Sequence, residues 1–331
     1  PLPSGLTPVY PTTAGLGQAT LRKAVERALA APLADTLPAD WLDALDLPGF
    51  ETSIRLLHEP PRDAALAELE TRRHPAWRRL AFDQLLAQQL SLAAARNARR
   101  RQRTQPLPAR HTLTRAFLDG LPFALTAAQQ RTWSEIAADL AATHPMRRLL
   151  QGDVGSGKTV VAALACLQAV ENGFQAAFMA PTEILAEQHA KKLAPSFEAL
   201  GLHCAWISGS QRKSQRSAAW EAVAAGKAEV VFGTHALFQE GGCFSRLGLV
   251  VVDEQHRFGV GQRLALVQKG SEPHQLMMSA TPIPRTLAMS FFADLDVSVI
   301  DALPPGRTPV LTKLVSASRR DDVLARVREA C

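Results

Sequence analysis

The spacing of apolar residues changes once along the chain, near Thr126. Before that point apolar positions recur at the three-to-four-residue period of a helix with one buried face. Gln18 to Ala31 places Leu21, Val25 and Leu29 in this way, and Pro32 ends the run. Pro38, Pro48 and the pair Pro60-Pro61 cut the next stretch into short helical pieces, because a proline inside a helix removes a hydrogen bond and clashes with the preceding turn. His74-Pro75 opens a longer pattern, with Pro75 at a position the first helical turn tolerates. Trp77, Ala81, Leu85 and Leu92, with Leu86 and Leu90 beside them, mark its expected inward stripe. Thr104 to Ala124, carrying Pro106, Pro108 and Pro122, reads as a linker.

Beyond Thr126 short runs that are apolar throughout alternate with helical segments. The runs centre on Arg148-Leu149-Leu150, Ala176 to Met179, Cys204 to Ile207, Val230 to Phe232, Leu249 to Val252 and Gln275 to Met278. Strands of this kind, separated by helices, predict a parallel sheet covered on both faces. Ligands of such sheets sit at the carboxyl ends of the strands. The expected fold class is therefore α/β, a parallel sheet preceded by an α-helical region.

Composition narrows the partners only slightly. The 331 residues are long enough for two domains, and 47% are hydrophobic. The net charge of +6 suits a polyanion without requiring one. Cys166, Cys204, Cys243 and Cys331 show no metal-site or disulfide spacing and read as idle thiols of a reducing compartment. No apolar stretch is long enough to span a bilayer and no signal peptide opens the chain, so a soluble, cytoplasmic protein is expected. The phrase Leu6-Thr7-Pro8-Val9-Tyr10-Pro11, with no initiator Met before it, reads as the middle of a longer protein. The basic run Arg96, Arg99, Arg100, Arg101 and Arg103 fits two accounts equally. It is either a solvated helix end complementing its own dipole or a contact to DNA phosphate.

Candidate chemistry falls at the strand ends. Gly152-Asp153-Val154-Gly155-Ser156-Gly157-Lys158-Thr159 fits the phosphate-loop template G-x-x-x-x-G-K-[ST] between a strand and a helix. Its glycines let backbone N–H groups turn toward phosphate oxygens, and the helix N-terminus adds a favourable dipole. Lys158 would reach the terminal phosphates, and the Thr159 hydroxyl would ligate Mg²⁺. Asp253-Glu254-Gln255-His256 follows the run Leu249 to Val252. That is where such an ATPase needs one carboxylate for Mg²⁺, here Asp253, and one for the attacking water, here Glu254. Ser279-Ala280-Thr281-Pro282 places two hydroxyls after the last run. Thr182, and Thr234 with His235, pair strand ends with helix starts that suit phosphate oxygens, as ordinary caps also would. In Phe123-x-Leu125-Thr126-x-x-Gln129, the Gln129 amide could read an adenine edge through both of its ends, with Phe123 near the base.

Together and in this order, these motifs resemble the first motor domain of superfamily 2 helicases, with a DEQH form of the second motif. Asp253 to Val260 and Ala280 to Met289 narrow the similarity to the group holding RecG, Mfd and PriA. Pro8 to Thr13, Leu21-Arg22-Lys23 and Asp301 to Pro309 look like RecG-type helicases. The resemblance implies a RecA-like domain using ATP and Mg²⁺ to translocate on double-stranded DNA, regressing stalled forks and migrating Holliday junctions. It further implies a single-stranded-DNA-binding protein among the partners. Coupling roles fall to Gln255, His256, Ser279 and Thr281, and DNA contacts to Thr182, Gly209, Ser210, Thr234, His235 and Arg285. The expected divisions are 1–17 as the exit strand of an OB-type wedge and 18–105 as a helical linker. Residues 106–302 would form the first RecA-like domain, and 303–331 would begin a second that carries the arginine finger. Two rivals stay open: an Mfd-like translocase acting on RNA polymerase, and a nucleotide-gated DNA-binding scaffold without hydrolysis.

Overall fold

The computed structural model describes residues 6, 8–12, 15–238, 242–253, 273–281, 295–302, 312 and 314–330. Two compact units, Pro1–Asn97 and Ala98–Cys331, divide the chain. The first is helical: α1 (Gln18–Leu29), α2 (Ala39–Ala44), α3 (Phe50–His58), α4 (Leu66–Glu70) and most of α5 (Pro75–Arg101).

A buried cation organises this unit. Arg79 is fully buried and donates to Asp35 at 2.6 and 3.0 Å, to both oxygens of Asp83 at 3.0 Å, and to the Pro48 carbonyl at 3.0 Å. Asp35 also accepts the Phe50 and Leu37 amides, at 2.8 and 3.0 Å, so it fixes the start of α3 as well. The inward face of α5 consequently runs through Ala76 and Arg79, and the expected apolar stripe is displaced from it. Ala81, Leu85 and Leu90 are exposed, while Leu92 is buried as expected. A charged residue buried with partners breaks the assumption that only apolar positions mark the inner face.

The second unit holds α6 (Leu113–Asp119), α7 (Ala127–Leu140), α8 (Lys158–Glu171), α9 (Glu183–Ala199), α10 (Lys213–Ala224) and α11 (Arg320–Ala330). Its strands are β1 (Arg147–Gly152), β2 (Gln175–Met179), β3 (Cys204–Ile207), β4 (Val230–Gly233), β5 (Leu247–Val252), β6 (His274–Ser279) and β7 (Asp296–Ile300). They form one parallel sheet in the order β3-β4-β2-β5-β6-β1-β7, a RecA-like arrangement. Alternate strand residues feed two apolar layers. Leu150, Phe178, Phe232, Val251 and Met278 pack with α8 on one face, and Leu149, Met179, Val231, Val250 and Met277 on the other. Helix α8 is buried along most of its length, consistent with its nearly unbroken apolar sequence.

Three features depart from the sequence reading. The expected linker contains α6, whose Thr114 amide and hydroxyl donate to Glu171 of α8 at 2.8 and 3.2 Å. Strand β7 was not expected. Among the described residues it pairs with β1 alone, and it alternates buried and exposed positions. Arg99 follows neither account of the basic run: it is 6% exposed and paired with Asp296 of β7 at 2.7 Å. Arg96, Arg100, Arg101 and Arg103 are exposed. Burial pushes the Cys204 thiol up to about 12 and raises the Cys166 thiol as well. Among the described residues no helix is long and apolar enough to cross a membrane.

Candidate nucleotide site at the carboxyl edge of the sheet

Strand β1 ends at Gly152 and α8 begins at Lys158, so the loop between them lies at the carboxyl edge of the sheet. Gly155 and Gly157 take φ of +79° and +93°, the left-handed region that glycine enters without cost. A Cβ on Gly157 would also run into Gln129 Nε2. The Lys158 ammonium lies over the loop and donates to the Gly152 carbonyl at 2.7 Å and the Asp153 carbonyl at 3.0 Å. Asp153 accepts the Val154 amide at 2.8 Å. The Ser156 hydroxyl is buried and has no hydrogen-bond partner among the described residues. Thr159, half-buried, occupies the first turn of α8.

Gln129 braces this loop from α7. Its Oε1 accepts the Thr126 amide at 2.9 Å while the Thr126 hydroxyl accepts the Gln129 amide at 3.2 Å, a reciprocal capping box. Its Nε2 donates to the Ser156 carbonyl at 2.8 Å. A primary amide has two hydrogens and two oxygen lone pairs, so these bonds use half the capacity of each end. Phe123 is half-exposed and lines a cavity of about 430 Å³ with Leu118, Leu125, Gln130 and Trp133. Gln130, rather than Gln129, is the glutamine at that cavity.

Asp253 follows β5, and its backbone amide donates to the Met179 carbonyl of β2 at 2.8 Å. Its carboxylate Oδ2 lies 2.6 Å from His189 Nε2 of α9, with both side chains about 13–14% exposed. Because an ionised carboxylate only accepts, Nε2 carries the proton of this bond. The His189 ring packs on Phe178 at 4.8 Å. No sequence motif pointed to His189. Strands β1 and β5 are separated only by β6, which puts their ends roughly 10 Å apart at the usual strand spacing. The described residues contain no cluster of three or more metal-ligating side chains. One carboxylate and one hydroxyl are a poor cage for an all-protein metal site. They do fit Mg²⁺, which is commonly held by one or two carboxylates together with substrate phosphates. Beside them, the Ser279 hydroxyl accepts the Thr281 amide at 3.2 Å and lies 2.8 Å from the Thr281 hydroxyl, while the Thr281 carbonyl accepts Gln151 of β1 at 3.2 Å. Gln151 thus joins the Ser279–Thr281 segment to the strand that leads into the 152–159 loop, another link with no sequence signal.

The other half of the edge, β3-β4-β2, gathers most of the residues expected to meet DNA. Thr182 caps α9, with its hydroxyl accepting the Leu185 amide at 3.4 Å. Glu183 accepts the Ser210 amide at 3.0 Å and the Ser210 hydroxyl at 2.6 Å, close to Gly209. Those bonds hold the Glu183 carboxyl below its usual range. Thr234 is buried and accepts the Ala236 amide at 3.4 Å, and His235 opens a short 3-10 helix. Each of these threonines therefore caps a helical turn in this structure. Glu254, Gln255, His256 and Arg285 lie outside the described residues.

Comparison with known proteins joins these features to a lineage. A model of the DEAD/DEAH box helicase family matches residues 126–290. The ATP-dependent DNA helicase RecG of Escherichia coli K12 is 53% identical over 334 residues, covering 98% of this chain and 48% of the relative. RecG of Thermotoga maritima is 43% identical, covering 98% of this chain and 41% of the relative. A solved structure of RecG bound to a three-way DNA junction superposes with a TM-score of 0.75 at 41% identity, covering 98% of this chain and 43% of that one. The chain spans about half the length of the curated relatives it matches. Identity and fold agree over almost every residue present, so along nearly its whole length the chain is similar to about half of a RecG-type DNA helicase.

Proposed function

We propose that this chain is the ATP-binding motor region of a helicase that remodels branched DNA in recombination and repair. The observation that carries the proposal is the convergence of the 152–159 loop and Asp253 on one edge of the sheet, in a chain this similar to RecG. In this reading the loop amides and Lys158 hold the phosphates of ATP, and Thr159 and Asp253 hold Mg²⁺. Mg²⁺, when bound, neutralises charge that develops on the transferred phosphoryl group. Glu254 takes the proton of the attacking water. Ser279 and Thr281, with Gln255 and His256, pass the nucleotide state to the rest of the motor. Thr182, Gly209, Ser210, Thr234, His235 and Arg285 face the DNA backbone. Residues 18–105 form a helical linker to the motor domain at 106–302. The test measures steady-state ATP hydrolysis by the whole protein with linear duplex and with three-way-junction DNA. Stimulation by the junction above that by the duplex is expected, and equal rates with and without DNA would end the proposal. An Mfd-like protein would instead show its ATP-dependent effect on a stalled RNA polymerase.

Gln129 is proposed to read the adenine edge with the unused half of its amide. Gln129→Ala should then weaken ATP binding more than GTP binding in a competition against a fluorescent analogue. The loss of one buried amide bond is worth about 1–3 kcal/mol, roughly a fivefold to hundredfold change. Equal loss for both nucleotides would leave the residue its capping box with Thr126 and its bond to the Ser156 carbonyl.

A further inference from the structure

Helix α9 touches both halves of the sheet edge within its first two turns. At Glu183 it holds the Ser210 amide and hydroxyl in the loop after β3. At His189 it holds Asp253 at the end of β5, 2.6 Å away. Six residues of helix separate the two contacts, about 9 Å of rigid rise. The His189 ring is fixed in turn by Phe178 of β2 at 4.8 Å, so its Nε2 does not swing freely. The bond takes one of the two Asp253 oxygens, at a site where the carboxylate is only 13% exposed.

We infer that His189 is a positioning residue for the metal-binding carboxylate. Its Nε2–H fixes the orientation of Asp253, and α9 ties that orientation to the Ser210 loop on the DNA half of the edge. The helix thus links the Ser210 loop, through Glu183 and His189, to the Asp253 side chain, while the Asp253 backbone stays bonded to Met179 of β2. The inference rests on the nucleotide-site proposal above and deepens it. It assigns a pathway from DNA contact to the metal through one imidazole and two turns of helix.

Removing a hydrogen-bond partner of a metal ligand commonly costs about tenfold to a hundredfold in metal affinity. The discriminating measurement is the Mg²⁺ concentration that half-saturates binding of a fluorescent ATP analogue to the protein. His189→Phe keeps a ring against Phe178 and removes the donor, and should raise that concentration by about tenfold or more. His189→Gln keeps an N–H donor and should recover most of the loss. Analogue binding in EDTA should be the same in all three proteins. In an Asp253→Asn background, His189→Phe should change the Mg²⁺ dependence no further. Should His189→Phe unfold, as read by its thermal transition, His189→Asn takes its place, since the shorter amide loses reach to Asp253. A wild-type Mg²⁺ half-point in the donor-free variant would overturn the inference, and so would a Gln variant as impaired as the Phe one. Absence of any Mg²⁺-dependent binding in the unmodified protein would instead overturn the nucleotide-site proposal beneath it.

Discussion

Lys158→Ala should abolish measurable ATP turnover, a fall of at least about 10²–10³ on the scale of losing one transition-state donor. The ammonium sits at the N-terminus of α8, bonded to the Gly152 and Asp153 carbonyls, so it is already folded over the loop proposed to hold phosphate. Its replacement removes a full positive charge from the place where a polyphosphate carries its highest negative charge density. Binding of a fluorescent ATP analogue should fall together with turnover. Glu254→Gln offers the contrast, because it deletes the proposed base and leaves Lys158 and Asp253 in place. That variant should bind the analogue near wild-type affinity and fail to hydrolyse ATP. A Gln variant that lost affinity as far as the Ala variant would mean that the roles of the two residues are wrongly divided.

Arg79→Ala should destabilise the N-terminal helical unit by about 3 kcal/mol, the lower end of the cost of breaking a buried ion pair. The lower end applies because Asp35 and Asp83, left without their partner, are 25% and 23% exposed and regain some hydration. For a unit of this size that corresponds to roughly 10–25 °C in its unfolding temperature. Acid should reveal the same pair. The Arg79 hydrogen bonds hold the Asp35 carboxyl well below the usual carboxylate range, so the folded state binds fewer protons there than the unfolded one. Stability from the pair is therefore complete above the ordinary carboxylate range and drains as pH falls through and below it. Wild-type protein should lose stability on acidification more steeply than Arg79→Ala. Parallel acid profiles for the two would show that the pair contributes little.

What the sequence made legible follows from how local each signal is. The 152–159 loop and the strand-end Asp253 are each short local signals, and β2, β4, β5 and β6 announce themselves because strands buried on both faces are largely apolar. Strand β7 lies at an edge, with Val297 and Val299 partly exposed, so its Asp296-Val297-Ser298 start carries no apolar run. Helix α6 escaped because Pro106, Pro108 and Pro122 suggest a broken segment, yet they flank the helix instead of interrupting it. Arg99 and His189 share a different reason. Their partners, Asp296 and Asp253, lie 197 and 64 residues away, and nothing in a basic run or a mid-helix histidine names a partner at that distance.

The strand order also sets a timetable for synthesis. Strand β1 carries the phosphate loop but pairs only with β6 and β7, with Leu149 opposite Met277, about 130 residues further along the chain. At ribosomal rates of about 5–20 residues per second, β1 leaves the ribosome on the order of ten seconds before its first sheet partner exists. Strands β2, β4 and β5 can meet one another earlier, so one side of the sheet can assemble with α8 packed against it while β1 still awaits its sheet neighbours. Parallel pairing at this separation is slow and leaves sticky surface exposed in the interval. That interval closes when β6 and β7 emerge and β1 gains its sheet neighbours.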